Sequence, residues 1–410
     1  SLYANQSGSY NAAFGYAALF SNTTASDNTA VGYQAQYTNT TGARNVSIGT
    51  AALFSNSTGN FNNAFGYETL KTNTGSSNSG FGYRALYANT TGSYNTAIGD
   101  QALYSNTTAS NNTAVGYQSL YSNVTGADNT AVGAYALISN TGSANVAVGR
   151  RALYSSTADG NTAVGHRALD GTSTGTGNVA LGYNAAYTNT TGASNTAVGY
   201  QSAYTNSSGT GIAAVGFGAL YSNTTGSYNT ALGYHALVLN TTASYNTAVG
   251  YQAGYSNTTG ADNTALGYTA LYSNSTGIRC VALGDQSLYN STGNYNTAVG
   301  FQSLNKTTSG TDNTAIGLYS GYSNTTGSYN TALGDQSLFN NTTANGQVAV
   351  GYQALYTFSG NSSNYNTAVG YQSQYLTTGQ NNDSFGGFTL QANTTGSYNC
   401  TFGRNSLYSN

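Results

Sequence analysis

Apolar and polar positions in this chain recur with one period, 17 residues, from end to end. Gly116 to Val132, GYQSLYSNVTGADNTAV, is a clean copy. It holds a Y-Q-A/S-L-Y run, an N-T-T-G-like turn and an NTAV run, after which the next copy opens on glycine. With that glycine as position 1, position 17 is Val, Ile, Leu or Phe, as at Val115, Ile98, Leu232 and Phe65. Position 16 is nearly always Ala, and position 15 is mostly Thr, with Val at Val46, Val146, Val179, Val281 and Val348. This two-residue alternation predicts a short strand with 15 and 17 facing a core and Ala at 16 pointing away. Leu at position 5, as at Leu120, Leu137, Leu220 and Leu271, predicts a second short strand entering the same core. No 3.6-residue apolar period exists, and Gly, Asn, Thr and Ser dominate, which excludes helices.

The position-1 glycine recurs 24 times between Gly15 and Gly403. Of the 23 intervals, 17 are 17 residues long, five are 16 and one, Gly351 to Gly370, is 19. Such regularity means repeat architecture, in which each copy touches only its neighbours. A unit this short cannot be a leucine-rich or helical-hairpin repeat. The expected fold is therefore all-β: a parallel β-solenoid of about 24 coils, stacked ~4.8 Å apart over roughly 110 Å. Residues 1–410 read as one continuous array. Ser1 falls inside a Y-Q-A/S-L-Y run, and Ser406 to Asn410 (SLYSN) stops at a turn, so the array is expected to be a window of a longer chain or a unit of a polymer. The short coils after Gly66, Gly133, Gly149, Gly284 and Gly370, and the long one after Gly351, depart from the period between positions 6 and 14. Length changes there belong to exposed turns. Pro is absent, which suits strands whose every N–H is needed between coils.

One coil brings few side chains to a core, so cohesion is expected from ladders between coils. Asn at position 14 (Asn95, Asn129, Asn229, Asn246) would stack as an amide ladder, and Tyr at positions 2, 6 and 13 as ring ladders, such as Tyr16 on Tyr33 and Tyr104 on Tyr121. The Ala row at position 16 would form a flat face for another copy of the chain, because so thin and polar a coil is marginal alone.

Charge changes the picture by its scarcity. Charged residues are 5% of the chain, and the net charge is −2. A nucleic-acid partner needs a basic stripe, which is missing. No stretch approaches the ~20 apolar residues of a membrane span. Asp27, Asp128, Arg44 and Arg279 fall at position 13, Asp100, Asp285, Asp335, Arg150 and Arg404 at position 2, and Arg84, Arg151, Arg167 and Glu68 at position 3, so these positions should face water. Cys280 and Cys400 lie seven coils apart, roughly 33 Å at a β-sheet spacing, too far for a bridge. They are expected as small core residues, the alternative being a bond across an oligomer axis.

The runs Asn45 to Gly49 (NVSIG), Asn145 to Gly149 (NVAVG) and Asn178 to Gly182 (NVALG) carry a resemblance. With the runs that match them from Asn11 to Gly403, they resemble the head repeats of trimeric autotransporter adhesins and the related repeats of phage tail fibres. The resemblance implies a left-handed β-roll assembled as a trimer, displayed outside the cell or on a virion, and used in attachment. Here the coil is longer and Tyr-rich.

Candidate chemistry is confined to the repeat itself. The turn at position 8 forms N-x-S/T sequons at Asn22, Asn39, Asn56, Asn89, Asn106, Asn123, Asn189, Asn206, Asn223, Asn240, Asn257, Asn274, Asn290, Asn324, Asn341 and Asn393. They share one corner, expected to be exposed. Two readings stand side by side: turn chemistry, since Asn tolerates left-handed backbone and Thr bonds locally, and rows of N-glycans on a secreted protein. Exposed Tyr ladders are either structural or a contact for sugars. The Thr pairs lie in the segment that absorbs length changes, which argues against an ice-binding array. His166 and His235 stand alone at positions expected to face water, with no carboxylate or Cys partner in the repeat, so no metal is expected. Acidic residues are scattered singly, and the glycines form neither a phosphate loop nor a calcium nonapeptide. No cofactor and no catalysis are expected. The chain reads as a structural extracellular filament of β-solenoid coils that associates with itself, as a trimer or end to end, and carries glycans. The alternative is a receptor- or carbohydrate-binding module engaging a host surface.

Overall fold

A computed structural model describes residues 1–360 and 365–409. These residues hold 24 strands of three residues each and no helix. The chain forms two compact units, Ser1–Ser208 and Gly209–Asn410. In the first, twelve strands from Ala12–Phe14 to Thr196–Val198 pair in parallel, each with the strand of the next coil. The second repeats this from Ala213–Val215 to Cys400–Phe402. Pairing is in register, position on position: Thr113 faces Thr130, Ala114 faces Ala131 and Val115 faces Val132. The parallel β-solenoid expected from the spacing is the fold of each unit.

The strand faces are reversed from the expectation. Ala at position 16 points inward: Ala30, Ala114 and Ala231 have no solvent exposure. Thr or Val at 15 and the larger residue at 17 point outward. The cause is the size of the space opposite. Position 4 of the same coil faces position 16 across a narrow interior, as the Ser373 and Ser384 hydroxyls show at 2.6 Å. Where Thr69 replaces the usual Ala or Ser at position 4, position 16 shrinks to Gly80, whose added Cβ would lie 2.5 Å from the Thr69 Cγ2. Elsewhere position 16 is Ala or Ser, except in the coil of Gly386, where Thr401 is buried there; the strand's Val, Ile, Leu and Phe are left outside.

No second strand forms at position 5. Leu there is fully buried, as at Leu19, Leu120 and Leu220, but its backbone is left-handed, with φ 49° at Leu19 and 51° at Leu120. Position 3 is left-handed too (Gln34, φ 54°), as is position 13 (Asp27, φ 61°). Each such residue costs about 1 kcal/mol. Hydrogen bonds to both neighbouring coils offset the strain. Gln34 N–H reaches back to Tyr16 O at 2.8 Å, while Leu19 N–H reaches forward to Ala35 O at 3.0 Å and Ser21 N–H to Tyr37 O at 3.0 Å.

Length changes collect at one place. All five 16-residue coils omit a residue between positions 8 and 11, so Asn73 bonds the carbonyl of Gly75 where Asn56 bonds that of Gly59. The two extra residues of the 19-residue coil lie between Phe358 and Tyr365, a span that includes residues 361–364, outside the described residues.

Position 1 tolerates only glycine. Gly233 has φ 141°, and an added Cβ would lie 2.3 Å from the carbonyl oxygen of Gly250, the position-1 glycine of the next coil. Gly233→Ala should destabilise the second unit by about 2–3 kcal/mol, from strain and overlap together. A thermal melt followed by circular dichroism checks this; an unchanged midpoint would refute the close packing of successive glycines.

Candidate interaction surface

The interior is closed by two columns of asparagine. At position 14, each Asn Oδ1 accepts the backbone N–H of the next coil's Asn (Asn28 N–H to Asn11 Oδ1, 3.0 Å; Asn112 N–H to Asn95 Oδ1, 3.0 Å). Its Nδ2 donates to the position-11 carbonyl of the following coil, as Asn28 does to Gly42 O at 2.9 Å. At position 8, each Nδ2 donates to the previous coil's Oδ1 (Asn39 to Asn22, 2.9 Å) and to its own coil's position-11 carbonyl (Asn39 to Gly42 O, 2.9 Å). The Gly42 carbonyl thus receives one donor from each column. The position-14 ladder is as expected; the position-8 ladder is not.

That second ladder overturns the exposed sequon corner. Fifteen of the sixteen candidates, from Asn22 to Asn393, are buried, with at most 1% exposure. The amide nitrogen to which a glycan would be joined is the ladder's donor. Asn290 departs: it lies one residue earlier in a short coil, Ser291 takes the ladder position, and Asn290 Nδ2 donates to Asn305 O at 3.1 Å. The exposed residue of the turn is the second Thr, at position 10, as at Thr41, Thr91 and Thr225. The first Thr bonds across coils, as Thr40 Oγ1 does to Ser57 O at 3.0 Å.

Cysteines are free. Cys280 takes an asparagine's place at position 14: its N–H donates to Asn263 Oδ1 at 2.9 Å, and its Sγ lies 3.2 Å from Gly293 O. Burial pushes that thiol's pKa up, against hydrogen bonds from the Asn296 and Tyr295 backbone. Cys400 sits at position 15, outward and exposed, so it is not the core residue expected.

On the outside, position 17 is an apolar row in both units: Val132 and Leu181 in the first, Leu232, Leu266 and Ile316 in the second, each 37–48% exposed. Beside it, position 2 carries Tyr and Phe, exposed in both units. Tyr16 stacks on Tyr33 at 5.3 Å, Tyr183 on Tyr200 at 5.2 Å, and Tyr234 on Tyr251 at 5.3 Å. Tyr104 stacks on Tyr121 at position 6 (5.0 Å) and Tyr228 on Tyr245 at position 13 (5.3 Å). In each ladder the ring faces cover one another, and edges and hydroxyls meet solvent.

Charges interrupt the ladders in two places in the first unit. Glu68, expected at the surface, is tucked between Lys71 (2.6 Å) and Arg84 (2.8 Å). Burial raises its pKa, but the two cations outweigh that and hold it below the usual carboxylate range. Asp170 lies between Arg151 (3.1 Å) and Arg167 (2.8 Å). His235 is half-buried beside Phe217 and Tyr234, which lowers its pKa. Among the described residues, no three His, Cys, Asp or Glu cluster to hold a metal. No helix is long and apolar enough to cross a membrane.

Compared with protein families, characterised proteins and solved structures, the chain shows no significant match. Its function must be argued from its surface.

Asn106→Ala removes a ladder rung, leaving Asn123 Nδ2 without its 3.1 Å acceptor and Asn89 Oδ1 without its 2.7 Å donor. It should cost about 2 kcal/mol. Thr307 interrupts the same column with a buried, unpaired hydroxyl. Thr307→Asn places an amide beside Asn324 and should stabilise by about 1 kcal/mol. Denaturant melts of both variants check the pair; equal and opposite signs from those stated would refute the ladder's role.

Proposed function

We propose that the chain is a structural shaft, displayed outside the cell, that associates laterally with further copies of itself. The apolar row at position 17, with the aromatic row beside it, is the observation that carries the reading. Monomeric proteins rarely expose contiguous apolar patches beyond a few hundred Å². Two partly exposed large side chains per coil offer on the order of 100 Å², so about eight coils match the ~800 Å² per partner of a stable interface. A second copy fits best, because its side chains repeat with the same rise and stay in step along the array. Association therefore runs through positions 17 and 2, not through the buried Ala row. The resembled adhesins assemble three copies, which makes a trimer the expected species.

The sequons are read as turn chemistry. A glycan on a position-8 asparagine would occupy the nitrogen that ties one coil to the last. The Tyr ladders are read as structural, since sugars stack on ring faces and these are covered. No catalytic role is assigned.

Native mass spectrometry of the intact chain tests the first claim. Oligomers are expected, and replacing Leu232 and Leu266 with Lys should shift the population towards smaller species while the β-type circular dichroism persists. A monomer at all concentrations would sink the reading. Peptide mass spectrometry of natively produced material should find unmodified asparagine at Asn223 and Asn257; hexose there would overturn the turn-chemistry assignment.

A further inference from the structure

The coils that begin at Gly149 and Gly165 break several ladders at once. At position 8 the asparagine column lapses to Ser156 and Thr172, and the Thr172 hydroxyl has no partner. At position 2 the aromatic row is replaced by Arg150 and His166. At position 3 both residues are arginine, Arg151 and Arg167. Three of the chain's nine Lys and Arg and one of its two His thus fall between residues 150 and 167, in a protein that elsewhere spreads its charge thinly.

The local charges do not cancel. Asp170 is shared by two arginines. Arg151 donates to it through Nε and NH2, both at 3.1 Å, and Arg167 through Nε at 2.8 Å. Both guanidiniums also lie over rings, Arg151 4.0 Å from the Tyr154 centroid and Arg167 4.7 Å from that of Tyr187. This group keeps a net charge of +1 and is held rigidly. Asp159, the other nearby acid in sequence, accepts the Ser143 N–H at 2.7 Å from position 12. Arg150 is exposed and has no acidic partner within ion-pair distance. Its NH1 lies 3.4 Å from His166 Nε2, which accepts from the guanidinium in the tautomer that leaves that nitrogen unprotonated. His166 stacks on Tyr183 at 5.2 Å, which fixes its plane, and its Nδ1 is enclosed with no hydrogen-bond partner. The protein completes neither group's hydrogen bonding.

We infer that Arg150 and His166, on the same two coils as the net-positive Arg151–Asp170–Arg167 group, form a binding site for an oxyanion, the sulfate or phosphate group of an acidic ligand. An anion seated against Arg150 also faces His166 Nε2. Protonating that nitrogen turns the Arg–His contact into two donors aimed at one acceptor. Without the anion the same protonation sets two cations side by side. Binding and protonation of His166 therefore favour each other, and affinity rises as the pH falls. The groups that face the imidazole are Arg150 from the preceding coil and Tyr183 from the following one. Arg151, Arg167 and Asp170 lie on the same two coils, tied to one another and to Tyr154 and Tyr187. Arg150 and His166 stand at position 2, in the row proposed for lateral association, so the site is open to a ligand where these two coils are not covered by a neighbouring copy.

The chain's two histidines make the test direct. The ¹³Cε1 shifts of His166 and His235 are followed by NMR against pH in the full chain, alone, with inorganic phosphate, and with dextran sulfate against neutral dextran. The His166 titration midpoint should rise by about one unit with either anion and stay put with neutral dextran. His235, enclosed by Phe217, Tyr234 and Tyr255, serves as the internal control. Arg150→Gln should abolish the rise, and Arg150→Lys should retain part of it. Saturation at lower anion-group concentration with dextran sulfate would mark a polymer-borne ligand, and the reverse a free anion; either upholds the site. Equal shifts at both histidines, no shift at either, or an undiminished rise in Arg150→Gln would overturn it.

Discussion

Hydrogen bonding from one coil to the next, not burial of large apolar side chains, is the constraint on which this structure depends. Each coil encloses little more than Leu at 5, two alanine-sized residues at 4 and 16, and the asparagines at 8 and 14. A core of that volume supplies limited hydrophobic stabilisation. The buried amides make up the difference only because they are satisfied. An unpaired buried amide costs about 1–3 kcal/mol, whereas the Gly42 carbonyl closes a bond with each column at 2.9 Å. The same requirement dictates register: a coil shifted by one residue would break both columns and the strand ladder together.

The period was legible because glycine at position 1 cannot be replaced, and a fixed residue at a fixed interval announces a repeat. The position-14 ladder and the stacked tyrosines were legible for a related reason: identical residues at identical positions in parallel coils must lie over one another. The facing of the strand was not. Alternation in Thr-Ala-Val says that two residues share a side but not which side is inside, and hydrophobicity favoured the wrong one. A narrow interior selects by volume before hydrophobicity, and the pairing of Thr69 with Gly80 is the sequence trace of that selection. The left-handed backbone at positions 3, 5 and 13 also left a trace. Among 24 coils, β-branched residues are missing from 5 and 13, and Thr269 alone stands at 3. Such residues tolerate positive φ poorly. The burial of the sequon asparagines was hidden because a turn made of Asn, Thr and Gly is ordinarily solvated.

These reversals move the surface without changing the class of function that suits it. With the small residues inside, the outer strand face carries the apolar row at position 17, on which the proposed association with a second copy rests. With the asparagine amides inside, the sequon turn offers threonine hydroxyls to solvent. Against so uniform a surface, the two coils carrying Arg150, Arg151, His166 and Arg167 stand out as a local specialisation, where the aromatic row gives way to charge that the protein leaves uncompensated.

The turn between positions 8 and 11 absorbs every omitted residue while the bonds on either side of it persist. Whole coils are interchangeable in the same sense, since their backbones present the same donors and acceptors to the coils on either side. Recombination between misaligned copies of the coding sequence would thus delete or duplicate a coil and still leave both new neighbours fully bonded. The number of coils is in that respect a quantity that selection can adjust in single steps, at little risk to folding.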